Sequence, residues 1–149
     1  MKQITIILAL LAICFAFACT KSGNNEKPDI EKLQGSWISD TLHTRHYKGT
    51  KLTLETKITS FANTYDRFNF MGNGKLDYRD IDVNGTPYQY LYTYDRAAKR
   101  INCTGGNTGP FSFEVLSLDD KHMILRNEEP LLDTPSIINV RIFYCTKRE

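Results

Sequence analysis

The chain has 149 residues, 41% of them hydrophobic and 24% charged, with 19 Lys and Arg against 17 Asp and Glu. That length suits one domain rather than two small ones. The near balance of charge argues against a nucleic-acid binder, which needs a basic face to neutralise phosphates. The charged and aromatic content argues against a disordered chain.

Lys2 followed by the apolar run Ile4–Ala18 has the form of a secretory signal peptide covering residues 1–18. As a helix the run spans about 22 Å, short of the roughly 30 Å bilayer core. Thr20, Lys21, Asn24, Asn25 and Glu26 follow at once, so nothing extends it into a membrane span. Ala16-Phe17-Ala18 places small residues where a signal peptidase needs them, immediately before Cys19. The same bond resembles a bacterial lipobox, which implies that Cys19 receives lipid. Residues 19–29 then read as a flexible tether, and residues 30–149 as the domain. With Cys19 lipidated, Cys103 and Cys145 remain as an even pair; otherwise the exported chain carries an odd thiol.

The domain opens with a helical turn over Asp29–Gln34, capped by Asp29 and stopped by Gly35. Thereafter short alternating segments are punctuated by turn residues, the pattern of an all-β barrel or sandwich. The first strand runs from Trp37. Leu52, Leu54, Thr56, Ile58 and Ser60 alternate with polar residues, giving one apolar and one polar face. Phe68 and Phe70 lead to the hairpin signal Asn73-Gly74, and Leu76–Val83 ends at a second one, Asn84-Gly85. Tyr88, Tyr90, Tyr92 and Tyr94 share one strand face. Arg100–Thr104, then Phe111, Phe113 and Val115, then His122–Arg126 follow as further strands. Glu128–Ser136, with two prolines, reads as the longest break before the last strand at Ile138, Val140, Ile142 and Tyr144. Eight or nine strands joined in series by short connections predict an antiparallel up-and-down β-barrel, whose closure removes exposed edges. A sandwich fits the same pattern.

Leu33-Gln34-Gly35-Ser36-Trp37, the aromatic hairpin Phe68–Gly74 and the late segment Phe113–Leu125 together resemble the lipocalin-like domains of bacterial lipoproteins, which are calycin-type β-barrels. The resemblance covers about Ile30 to Thr146. Thr93-Tyr94-Asp95 departs from the Thr-Asp-Tyr order of classical lipocalins and points to the bacterial lipocalin-like group. The family implies that Trp37 closes one end of the barrel beneath an Arg from a late strand, with Arg141 matching by position. It also implies binding of a small apolar ligand inside the barrel, and a bond pinning the last strand to an earlier one. Cys103 and Cys145 are the candidates for that disulfide, which an exported location permits. Two unpaired thiols are the rival reading, because the two residues differ in facing unless a bulge intervenes.

The tyrosine row either fills the core or lines a cavity. Four buried hydroxyls all need partners, and a partly wet interior relieves that demand. Phe70, Tyr88, Tyr90, Tyr92 and Phe113 are the candidate ligand-lining residues. Asp80–Gly85 begins like a calcium loop, but its twelfth position is Leu91 and a hairpin explains it. His43 and His46 fall on opposite strand faces, and no Cys–His cluster has zinc spacing, so no metal site is expected. No nucleophile elbow, phosphate loop or His-Glu-x-x-His occurs, so neither enzymatic activity nor a cofactor is expected. The sequence therefore predicts an exported lipoprotein of the bacterial cell envelope, anchored in the outer membrane through Cys19 and binding a small apolar ligand. Its alternative is a structural or protein-interaction module of the envelope with a filled core.

Overall fold

The computed structural model describes residues 29–59, 66–79, 86–106 and 109–148. The predicted leader, Cys19 and the tether lie outside them, as does the calcium-like segment Asp80–Gly85. Helix α1 (Asp29–Leu33) precedes nine strands: β1 (Gly35–Lys48), β2 (Lys51–Thr59), β3 (Arg67–Phe70), β4 (Lys75–Arg79), β5 (Tyr88–Asp95), β6 (Arg100–Thr104), β7 (Phe111–Leu118), β8 (His122–Leu131) and β9 (Thr134–Arg148).

All pairings are antiparallel, and they close. One edge of β1 pairs with β9 over Ser36–Lys48. Its other edge carries two strands end to end, β3 over Gly35–Ile38 and β2 over Thr41–Lys48. The circuit β1-β3-β4-β5-β6-β7-β8-β9-β1 is therefore an eight-stranded barrel, and β2 is a ninth strand outside it. Closure decides for the barrel over the sandwich.

Turn chemistry follows the residues. Asn73 Oδ1 accepts from the Lys75 amide at 3.2 Å, and Gly74 sits at φ 78°, a conformation glycine adopts without steric cost. Asp95 Oδ1 accepts from the Ala98 amide, and Asp119 Oδ1 from Lys121 and His122, in the turns after β5 and β7. The expected break at Glu128–Ser136 is corrected. β8 continues to Leu131 and β9 begins at Thr134, because Glu128, Glu129 and Pro130 keep pairing with Val140, Asn139 and Ile138. Pro130 is accommodated where the register shifts beside Leu131, since a bulge tolerates the missing N–H.

One end of the barrel is plugged. Trp37 is fully buried there, and its Nε1 donates to the Leu33 carbonyl of α1 at 2.7 Å. Lys147, paired with Trp37 across β1 and β9, holds its ammonium 5.0 Å from the indole centroid and donates to the Lys32 carbonyl at 2.8 Å. Two barrel side chains thus satisfy the carbonyls that the end of a helix leaves open. The expected cap by Arg141 is corrected to Lys147. Arg141 pairs with Thr44, far along β1, and its guanidinium lies 5.8 Å from the Phe143 ring. Gly35 makes the arrangement possible. It sits at φ 118°, and a Cβ there would stand 2.8 Å from Lys147 Cε.

Above the plug, Phe68, Phe113 and Phe143 meet edge to face, with centroids 5.3–5.9 Å apart, and Tyr78 stacks on Phe68 at 5.0 Å. Leu76, Ile101, Val115, Met123 and Leu125 fill the space around them. Truncating the indole would remove both a large buried surface and the partner of α1. Trp37→Ala should therefore cost about 3–5 kcal/mol, read as a lowered midpoint in urea denaturation; a loss below about 1 kcal/mol would contradict this packing.

Candidate functional site: a cup at the open end of the barrel

The inward positions change character along the last strands. On β8 they run Met123, Leu125, Asn127, Glu129; on β9, read in the same direction, Cys145, Phe143, Arg141, Asn139. The first two of each set belong to the filled half of the barrel, while Asn127, Glu129 and Arg141 line a cavity at the other end. That cavity measures about 1160 Å³, within reach of the size of small-molecule sites. One wall is aromatic, with Tyr78, Tyr88, Tyr90, Phe111 and Phe113 from β4, β5 and β7. The facing wall is polar.

Asn127, only 2% exposed, anchors the polar wall. Its Nδ2 donates to the Ser112 carbonyl at 3.1 Å, while its Oδ1 accepts from Arg141 Nη2 at 3.1 Å. Arg141 Nη2 also donates to Glu129 Oε1 at 2.7 Å. The guanidinium is thus held between a neutral amide and a carboxylate over the Phe143 ring, so its charge is already matched within the cup. The aromatic wall is fixed as well. Tyr90 and Phe111 meet edge to face at 4.8 Å, and Phe111 meets Phe113 in the same way at 5.3 Å. Gly106, at φ 70°, lies so close to Tyr90 that a Cβ there would reach within 2.5 Å of the ring.

The five residues expected to line a ligand divide between the two halves. Tyr88, Tyr90 and Phe113 line the cup. Phe70 and Tyr92 do not; they meet edge to face at 5.2 Å at the plugged end, where the Tyr92 hydroxyl donates to the Met71 carbonyl. Burial raises the Tyr92 pKa, as expected for a phenol in that packed layer. The Tyr78 hydroxyl donates to the buried carboxylate of Asp66, 3.0 Å away. Sequence reasoning does not single out Phe111, Asn127 or Glu129, and it places Arg141 at the wrong end. Their signal is the run of polar residues at inward parity on β8 and β9, readable only once the closing strands are known.

The disulfide expectation is corrected. Cys103 and Cys145 are both free and buried. Both point inward, but β7 and β8 separate their strands, so the thiols stand on walls that are not neighbours. Cys103 lines the floor of the cup. Burial pushes its thiol up to about 12; Cys145 is raised too, first by burial and then by the carboxylates of Asp66 and Asp40. Neither is an activated nucleophile. Among the described residues, no group of three or more His, Cys, Asp or Glu side chains is placed to hold a metal ion.

No family model and no curated protein matches the chain. The fold is similar to that of a solved lipocalin-like protein from Bacteroides uniformis ATCC 8492, with a TM-score of 0.47 and 16% identity, covering 78% of this chain and 99% of that one.

The thiols give a test with a definite sign. The Cys103 pKa in the folded chain lies above its ordinary 9.0. Its contribution to stability is therefore complete below about pH 9 and is lost as the pH rises toward 12. Urea midpoints should fall across that alkaline window, and Cys103→Ser should flatten the fall. At neutral pH the folded protein should resist iodoacetamide at Cys103 and Cys145 and take a label at each of them once unfolded. A mass that rises on reduction, as for a disulfide, would contradict the free thiols.

Proposed function

We propose that this chain is an exported, membrane-anchored lipoprotein whose lipocalin-like barrel binds a small, mostly apolar ligand in the cup at its open end. The observation that carries this reading is the half-filled interior. An aromatic wall of Tyr88, Tyr90, Phe111 and Phe113 faces the Asn127–Arg141–Glu129 chain across about 1160 Å³. The rings offer apolar area to the body of a ligand, and the amide and ion pair offer polar contacts to one end of it. Because the guanidinium is already matched by Glu129, the pocket suits a neutral ligand better than a strong anion.

Anchoring rests on the leader and on Cys19. Three acyl chains on that cysteine would exceed the two signals that stable attachment needs. The cell envelope, on the periplasmic or surface side of the outer membrane, is the location this implies.

Two measurements test the reading separately. Native mass spectrometry of the protein purified from its own host should show a small adduct that is lost, or weakened by about tenfold in affinity, in Tyr90→Ala. A consistently bare barrel would count against the ligand and favour an envelope module that acts through its surface. Cys19→Ala should release the protein from membranes and abolish metabolic labelling with palmitate. Retention in the membrane fraction would overturn the anchor while leaving the cup untouched.

A further inference from the structure

Among the described strands, the one outside the barrel is the least protected. β2 spans nine residues, and every one of them is exposed. One of its edges pairs with β1, and among the described residues no strand pairs with the other. A long free edge of this kind is a template for another strand unless it is blocked. Its apolar face is also uncovered. Leu52, Leu54 and Ile58 are 42%, 46% and 47% exposed, and they fall on the face that carries the inward residues Leu42, Arg141 and Phe143 of β1 and β9. The opposite face carries Lys51, Thr53, Glu55 and Lys57.

We propose that β2 is the docking edge for a second copy of this chain, paired antiparallel about a twofold axis through Thr56. In that register Glu55 of each copy stands opposite Lys57 of the other. Leu54 of each stands opposite Ile58 of the other on the apolar face. Each contact occurs twice, as an isologous interface requires. Charge selects this register over its neighbours. Moving the axis to Glu55 places two glutamates face to face, and moving it to Lys57 does the same with two lysines. Glu55 is positioned for the role, because Arg45 and His43 of β1 hold its Oε1 at 2.8 Å and leave Oε2 for a lysine. The same two contacts keep its pKa below the usual carboxylate value, with Arg45 the larger influence and His43 second. Pairing across the axis also sets equal faces on the same side of the joined sheet. The Leu54 and Ile58 side chains of both copies then form one apolar cluster on that face.

Sedimentation velocity of the full chain over a concentration series tests this directly. Wild type should exchange reversibly between monomer and dimer. Lys57→Glu and Glu55→Lys, each setting like charges opposite one another, should weaken association by about tenfold or more. Mixed in equal amounts, the two variants should associate again, since the lysine introduced in one then meets the glutamate introduced in the other; circular dichroism confirms that each is folded. A wild type that stays monomeric at every concentration overturns the proposal. So does a dimer that survives both substitutions, or a mixture that stays monomeric when wild type dimerises.

Discussion

The contact of Trp37 with Lys147 and the end of α1 is the constraint on which the rest of the barrel depends. Trp37 and Lys147 lie opposite each other on β1 and β9, the two strands whose pairing closes the circuit. The indole fills the end of the barrel and also takes up the Leu33 carbonyl, while the ammonium crosses its face to reach Lys32. A cation over an indole contributes about 0.5–2 kcal/mol, and the burial of the ring contributes more. The Gly-x-Trp spacing has a physical reason here. Gly35 is where the lysine stem passes, and a side chain at that position would collide with it.

Packing from that end upward is apolar and dense until the Phe68, Phe113 and Phe143 cluster. Beyond it the inward positions turn polar, and an interior of that kind cannot collapse on itself without stranding Asn127, Arg141 and Glu129. The cup is thus a consequence of residue choice as much as of barrel size. Filling it with further aliphatic side chains would require replacing a hydrogen-bonded chain anchored on the buried Asn127, not merely adding volume. Its aromatic side is just as determined, since Tyr90 is pressed by Gly106 and braced by Phe111. The rigid, half-polar shape is what a binding site for one small molecule needs.

Most strands are legible in the sequence because local chemistry marks them: Asn73-Gly74 turns one hairpin, and the parity of Tyr88, Tyr90, Tyr92 and Tyr94 sets one face. What escapes is non-local. Pro130 and Pro135 read as a break, yet β8 and β9 run on because each has the other to pair with, and a shifted register takes up the misfit. Arg141 matches the expected late-strand Arg by position, but the β1–β9 register, which shifts between Ser39 and Thr41, places Lys147 over Trp37 instead. The cysteines can be counted, but two strands intervene between them, and strand order is not contained in spacing. The cup is half legible for the same reason. Tyr88, Tyr90 and Phe113 announce apolar surface, whereas Asn127 and Glu129 look like ordinary polar positions until β8 is known to face them inward. That β2 stands outside the circuit cannot be read at all, since its alternation matches that of any half-buried strand.

Binding in the open half of the barrel can be read by backbone NMR during titration with a neutral apolar fluorophore such as N-phenyl-1-naphthylamine. Saturable shifts should concentrate at Tyr88, Tyr90, Phe111, Phe113, Asn127 and Arg141, with Trp37, Phe70 and Tyr92 at the plugged end unmoved. Shifts centred on the exposed face of β2, or none at any concentration, would contradict it.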